Sequence, residues 1–100
     1  MKYQINALSV RRNTKWYIDV PVVAHAKICL PEISATIEGI MLAYRKTDGR
    51  FLAFAPSKKD VNVGIQWDCD SEWSQRLAGD LYQVYRLMGG DEPPSGEVSA

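Results

Sequence analysis

The chain has 100 residues, of which 46% are hydrophobic and 24% are charged, and its formal net charge at pH 7 is zero. This size fits a single domain, and the composition is that of a folded globular protein, which excludes a disordered chain and a second independent core. No apolar run approaches the ~20 residues needed to span a bilayer, and the first fifteen residues contain no apolar signal-peptide core. We therefore expect a cytoplasmic protein with no membrane partner.

The first predicted elements are β-strands. Over residues 2–10 polar and apolar side chains alternate, as on a half-buried strand. The stretch 16–30 is β-rich but is interrupted by Pro21, which cannot donate a ladder hydrogen bond and so indicates an edge or a bulge. Residues 33–44 read as a third, long strand, in which Gly39 indicates a bulge.

The clearest local signal is the dipeptide Asp48-Gly49 between two apolar runs. A type I′ hairpin turn needs positive φ at both central residues, and Asp-Gly tolerates that conformation. We therefore predict a hairpin between the strands over 33–44 and 50–55. A polar loop over 56–60 and a short last strand over 61–67 follow.

A C-terminal helix is predicted after residues 68–71, whose side chains supply N-cap oxygens. Its apolar positions recur at steps of three and four residues, at Trp73, Leu77, Leu81, Val84 and Met88. Gly89-Gly90 ends the helix. Residues 91–100 contain two prolines and three acidic residues, which predicts a disordered acidic tail. The fold class is therefore α+β, an antiparallel β-sheet of four to five strands with one C-terminal α-helix, in a single domain over residues 1–90.

No group of residues has the pattern of a catalytic or metal site. The sole histidine, His25, lies on a predicted strand without a nucleophile motif near it. Asp68, Cys69 and Asp70 lack the paired spacing of structural zinc ligands, and no glycine-rich loop opens a helix. We expect no enzymatic activity, no cofactor and no metal, and two free thiols at Cys29 and Cys69.

Charge is distributed unevenly along the chain. Residues 1–59 carry ten basic and four acidic side chains, a net charge of +6, while residues 60–100 carry two basic and eight acidic ones, a net charge of −6. Such asymmetry is a hint of nucleic-acid or membrane contact beside an acidic tail. Strand ends and turns of an antiparallel sheet can converge on one rim, where cations would contact phosphates. The candidate nucleic-acid-binding residues are Arg11, Arg12, Arg50, Lys58 and Lys59, with Lys15, Arg45 and Lys46 near them. Alternatively, these cations only protect strand ends from edge-to-edge aggregation.

Several segments match a known family motif by motif. They are Leu8-Ser-Val-Arg-Arg-Asn-Thr14, Ala26-Lys-Ile-Cys-Leu30, residues 37–40, the run from Asp48 to Lys59, and the end of the helix with Tyr85 before Leu87. Together these segments resemble the stage V sporulation protein G family, small bacterial regulators that are DNA- and RNA-binding dimers. The resemblance implies an α+β fold and a homodimer, and it assigns Lys58 and Lys59 as nucleic-acid contacts.

Two functions follow as expectations. The first is a non-catalytic nucleic-acid-binding regulatory protein that acts as a homodimer on DNA or RNA, with two copies paired through an exposed strand over 33–44. The second is a small protein–protein interaction module, encoded by a phage or mobile element, that modulates a host complex. Trp16, Trp67, Trp73, Tyr17 and Tyr44 would be its interface anchors.

Overall fold

The computed structural model describes residues 2–56 and 66–93. In chain order its elements are β1 (Gln4–Val10), β2 (Val22–Leu30), a 3-10 turn (Pro31–Ile33), β3 (Ala35–Arg45), β4 (Arg50–Phe54) and α1 (Glu72–Leu87). The strands form one antiparallel sheet in the order β1-β2-β3-β4, in which each strand pairs with its neighbours in sequence. The predicted α+β fold class is confirmed, with four strands in the described sheet.

One face of the sheet packs against α1 and forms the core. Small and branched residues alternate with polar ones along β2, so that Ala24, Ala26 and Ile28 are buried while His25 is exposed. The apolar steps of three and four along α1 place one stripe of the helix on this face. The core comprises Leu8, Val23, Ala24, Ala26, Ile28, Leu30, Ile37, Ile40, Leu42 and Ala53 from the sheet and Leu77, Ala78, Leu81 and Tyr85 from the helix.

The predicted bulge at Gly39 is confirmed. The register between β2 and β3 shifts where Ala26 pairs with Ile40 and Ile28 pairs with Ile37. Gly39 has φ +79°, a left-handed conformation that suits glycine. Because the bulge adds one residue to β3, Ile37 and Ile40 both point into the core although they are three residues apart.

Pro21 lies directly before β2, which therefore begins later than residue 16, where the β-rich stretch was predicted to start. Pro21 is buried, and its carbonyl accepts a hydrogen bond from the amide of Tyr44 at 3.0 Å. A register shift follows at once, between Val22 and Ala24. The proline thus occupies a position that uses only its acceptor, as its missing N–H requires.

The hairpin between β3 and β4 is confirmed, but the predicted type I′ turn is wrong. Arg45 pairs with Arg50, so the connection has the four residues 46–49. In this loop only Gly49 has positive φ, at +68°, and its amide donates to the carbonyl of Arg45 at 2.9 Å. Four-residue hairpin loops of this kind are built around a helical turn, which needs one left-handed residue instead of two.

The helix begins and ends at the predicted signals. The hydroxyl of Ser71 accepts from the amide of Ser74 at 3.2 Å, as an N-cap does. At the other end Gly89 has φ +87°, and the amide of Gly90 donates to the carbonyl of Tyr85 at 2.8 Å. Together with the bond from the Gly89 amide to the Arg86 carbonyl, this is a Schellman motif.

Three further predictions are not confirmed as they were made: one is wrong, and two lie partly outside the described residues. Pairing of two copies along the whole of β3 is wrong, because β2 runs along one of its edges and β4 pairs with Met41–Arg45 on the other. Of the last predicted strand, over 61–67, residues 61–65 lie outside the described residues, and Gln66 and Trp67 are not in a strand. Of the predicted tail, Asp91 and Glu92 contact α1 through Tyr85 and Tyr82, and residues 94–100 lie outside the described part of the chain.

Candidate nucleic-acid interface

The four-strand meander brings several predicted site residues to one end of the sheet. β1 and β3 end there, and β2 and β4 begin there. The amide of Arg11 donates to the carbonyl of Val23 at 2.8 Å, and Arg45 pairs with Arg50. We call the six cations at this end the basic rim: Arg11, Arg12, Lys15, Arg45, Lys46 and Arg50. With strands about 4.8 Å apart, the rim extends about 14 Å from β1 to β4.

Five of the six cations have exposed side chains. Arg11, Arg12, Lys15, Lys46 and Arg50 are exposed, and none of them forms an ion pair with a residue of the described ranges. The backbone beneath Arg11 is held by its bond to Val23 and by the hydroxyl of Thr14, which donates to the Arg11 carbonyl at 3.3 Å. The guanidinium groups are therefore free to contact an anion while their backbone is held in place.

Arg45 is the exception, because two carboxylates hold its guanidinium. Its Nε and one terminal nitrogen donate to the two oxygens of Asp48 at 3.1 and 2.5 Å, and the same terminal nitrogen contacts Asp70 at 3.1 Å. The fork geometry matches a carboxylate. Hydrogen bonds to Arg45 lower the pKa of Asp48, and the two carboxylates raise the pKa of Arg45. Arg45 thus fastens the β3–β4 loop to the segment before α1 and is neutralised by it.

A row of aromatic rings lies beside the basic rim on the helix side of the sheet. The ring centroids of Trp16 and Tyr44 are 6.1 Å apart, those of Tyr44 and Phe51 5.1 Å, and those of Phe51 and Tyr82 4.6 Å. All four rings are half-buried. The Tyr44 hydroxyl lies near Gly49, at the loop of the rim. We call these four rings, of Trp16, Tyr44, Phe51 and Tyr82, the aromatic row. From the sequence, Trp16 and Tyr44 were expected only as anchors of a protein interface. Phe51 and Tyr82 were not expected in any site.

Lys58 and Lys59 lie outside the described residues. The last described residue before them is Pro56, whose Cβ would be 3.5 Å from a Cβ placed on Gly39. β4 runs from Arg50 at the basic rim to Phe54, about 13 Å away at 3.3 Å per residue. The described chain therefore enters the lysine segment from the end of β4 opposite Arg50. The assignment of Lys58 and Lys59 stays a prediction from the sequence.

The acidic and thiol groups just before α1 were the other candidates for a site. Donor atoms of Asp68, Cys69 and Asp70 lie within 4.8 Å of one another. However, Asp70 binds Arg45, and Asp68 accepts from the amide of Asp70 at 2.9 Å, so the cluster shapes the turn before α1. Burial raises the pKa of the Cys69 thiol. Cys29 and Cys69 are both free, as expected.

Within residues 2–56 and 66–93, no helix has the length and apolar character to cross a bilayer. Comparison of the chain with family models, with curated proteins and with solved structures found no match.

Proposed function

We propose that this protein is a non-catalytic, nucleic-acid-binding regulator that acts as a homodimer in the cytoplasm. The basic rim is the observation that supports this function best. Cations from the ends of β1 and β3 and from the start of β4 share one end of the sheet, although Arg12 and Arg50 are far apart in sequence. The resemblance to the stage V sporulation protein G family agrees with this function and is the basis for the homodimer.

Binding would be mainly electrostatic. Exposed arginine and lysine side chains displace counterions from a phosphate backbone, which favours association and makes it sensitive to salt. With duplex charges 3.4 Å apart along each strand, a rim about 14 Å long faces about four phosphates. The sheet supplies the fixed spacing, because the rim backbone is hydrogen-bonded at Arg11 and is part of the β3–β4 ladder at Arg50.

The aromatic row gives a reason to favour single-stranded targets. Half-buried rings beside cations are the platforms on which unpaired bases stack, whereas the bases of a duplex are already stacked on one another. Tyr44 belongs both to the row and to the strand that carries Arg45 into the rim loop. Binding of single-stranded DNA or RNA should therefore exceed binding of a duplex of the same length.

The test is a triple variant of the basic rim, R11A/R12A/R50A, titrated with labelled single- and double-stranded DNA and RNA at several salt concentrations. The slope of log affinity against log salt should become shallower by about 0.7–0.9 for each phosphate contact removed, so by about 2–3 in total. R76A is the matched control, because Arg76 is exposed on α1 and pairs with Glu72. An unchanged slope in the triple variant would contradict the proposal.

The lysine pair needs its own variant. K58A/K59A should weaken binding to a similar degree for all sequences, because phosphate contacts carry no base information. If affinity is unchanged and the variant aggregates instead, the two lysines protect a strand end.

A second candidate function is supported by a different surface. Tyr17, Ile18 and Val20 are 78%, 40% and 36% exposed in the loop between β1 and β2. Exposed aromatic and branched residues close together in the chain are typical of protein-interaction sites. Recovery of a partner from host lysate that persists after nuclease treatment, and is lost in Y17A, would favour this interaction module. Recovery that nuclease abolishes would favour nucleic-acid binding.

A further inference from the structure

The two edges of the described sheet differ in how they are covered. At the β4 edge, the carbonyl of Ala53 accepts hydrogen bonds from the indole of Trp67 and the hydroxyl of Ser74, each at 3.0 Å. At the β1 edge, no hydrogen bond from the described residues reaches the outer side of the backbone over Gln4–Val10. β1 therefore offers unpaired amides and carbonyls that another strand could bind.

β1 also lacks the side chains that usually prevent such pairing. Its sequence, Gln-Ile-Asn-Ala-Leu-Ser-Val, contains no charge and no proline. Gln4, Asn6, Ala7 and Ser9 are exposed, and their short or neutral side chains leave room for a second strand. The one irregularity is a bulge between Ile5 and Ala7. Protected edges normally carry lysine or proline within the strand itself.

The two ends of β1 carry different charged groups. At its start, a carboxylate oxygen of Glu32 accepts from the amide of Lys2 at 3.0 Å, and Asp80 accepts from the hydroxyl of Tyr3 at 2.5 Å. Two cations stand beside these carboxylates, Lys2 and Arg76, whose charge acts on Tyr3.

At the other end of β1 are Arg11 and Arg12, with Asp91 across a groove, for a net charge of about +1. An antiparallel copy of the same strand would bring Arg11 opposite Tyr3 and Asp80, and Arg12 opposite Lys2 and Glu32.

We propose that β1 pairs antiparallel with β1 of a second copy, so that the homodimer of the proposed function, on which this inference rests, contains one continuous eight-stranded sheet. Full overlap of the seven-residue strand is centred on Ala7. Arg12 of each copy then faces the Lys2–Glu32 end of the other copy, and Arg11 faces the Tyr3–Asp80 end. The two-fold axis repeats each contact, as an isologous interface requires.

The surface next to β1 extends the contact beyond the strand. A groove of about 580 Å³ lies between the last part of β1 and the end of α1, and its lining includes Leu8, Val10, Arg12 and Met88. Met88 is 53% exposed. In the antiparallel arrangement the first residues of the second copy's β1 lie along this groove, whose lining is mostly polar and also includes Ser9, Arg11 and Asp91.

The proposed dimer has two basic rims, which lie far apart. The basic rim is at the carboxyl end of β1, so antiparallel pairing places the two rims at opposite ends of the shared sheet. Arg11 and Arg12 would then lie at the dimer contact, so each rim would hold its nucleic-acid segment mainly through Lys15, Lys46 and Arg50.

Cysteine cross-linking tests the two-fold position directly. In a C29A/C69A background, A7C places two thiols opposite each other at the dimer axis, where paired strand residues lie about 4.5–5.5 Å apart between Cα atoms. Mild oxidation should give a disulfide-linked dimer on a non-reducing gel. H25C is the matched control, because His25 is exposed on β2, where it pairs with both β1 and β3, and should not cross-link.

A charge-exchange experiment tests the ends of the strand. E32K leaves only cations opposite Arg12 at both contacts of the dimer and should raise the dimer dissociation constant by about twofold to thirtyfold. R12E faces Lys2 as well as Glu32, so it should raise the constant less. An equimolar mixture of R12E and E32K should regain dimer mass, because the mixed dimer restores unlike charges at both contacts. Mass by light scattering is the readout.

Three outcomes separate this interface from the proposed function. A monomer at all micromolar concentrations overturns the homodimer and this interface together, while leaving the salt test of the basic rim intact. A wild-type dimer in which A7C does not cross-link, or in which the mixture does not regain mass, overturns this interface alone. Cross-linking of A7C together with recovery in the mixture supports it.

Discussion

Arg45 belongs to the basic rim, but its guanidinium pairs with two carboxylates of the protein and so stabilises the fold instead of binding an external anion. It holds Asp48 within its own loop and Asp70 near the start of α1, 25 residues further along the chain. The local part of this cluster follows from the loop, since Arg45 and Asp48 are three residues apart across a tight connection. The Asp70 contact depends on where the chain returns after β4.

The Arg45–Asp48 pair predicts a pH dependence of stability. Because Arg45 lowers the pKa of Asp48 below its unfolded value of about 3.9, the stabilisation is fully present above that pH. It is lost as the pH falls through the lower, folded pKa. D48N should therefore be less stable than wild type at pH 7, and the difference should shrink as the pH falls below about 4.

Urea denaturation at pH 7 and at pH 3 measures this difference. D19N is the control, because Asp19 is exposed at the same end of the sheet without an ion pair to a described residue. A D48N deficit that is equal at both pH values would show that the ion pair does not contribute.

Two glycines, one within α1 and one just after its end, have opposite roles. Gly79 is exposed within the helix, and a Cβ there would meet nothing within 4 Å. Gly90 is buried after the helix end, and a Cβ there would come within 2.3 Å of the Tyr85 ring. Tyr85 is held in turn by its hydroxyl, which donates to the carbonyl of Asp91 at 2.7 Å. The ring therefore has little space into which it could move.

The two glycines give a matched pair of substitutions. G79A should stabilise the protein by about 0.5–1 kcal/mol, because alanine loses less backbone entropy in a helix. G90A should destabilise it by roughly 1–3 kcal/mol through overpacking against Tyr85. At about 4–8 °C per kcal/mol for a domain of this size, thermal melts followed by circular dichroism will resolve both changes. A destabilising G79A would mean that the exposed helix surface has a contact beyond the described residues.

Stability of the protein as a whole depends on one helix packed on one face of the sheet. Leu81 is completely buried at the centre of that contact, while Gln83, two residues further along, is exposed. L81A should cost about 2–5 kcal/mol, since the cavity cannot collapse between the helix and the sheet. Q83A should stay within about 0.5 kcal/mol of wild type.

Denaturation followed by tryptophan fluorescence reports on this contact, because Trp73 of α1 lies 5.2 Å from Trp67 and 5.8 Å from Tyr3 of the segment before β1, between ring centroids. For a domain with about 5–15 kcal/mol of total stability, L81A would be close to unfolding at 37 °C. A small loss in L81A would mean that the helix is not the main cover of the core.

Much of the fold could be predicted because it depends on neighbours a few residues apart. Alternation along β1 and β2, the bulge at Gly39, and both ends of α1 follow from side-chain periodicity and from backbone preference. The turn at Asp48-Gly49 was predicted as type I′, with positive φ at both residues, whereas the loop has four residues and only Gly49 among them has positive φ. That difference changes the register of the hairpin, and the pairing of Tyr44 with Phe51 in the aromatic row could not be foreseen.

The candidate site, like the fold, was predicted only in part from the sequence. The amino-acid sequence was sufficient to identify Arg11, Arg12 and Arg50 as cations at strand ends, and to predict an antiparallel sheet with a C-terminal helix. The tertiary structure decided that these three share one rim, that Arg45 is neutralised there, and that β1 is an outer strand of the sheet while β3 lies between β2 and β4. The reason is physical: periodicity acts over one or two turns of chain, whereas strand order depends on contacts between segments that are distant in sequence.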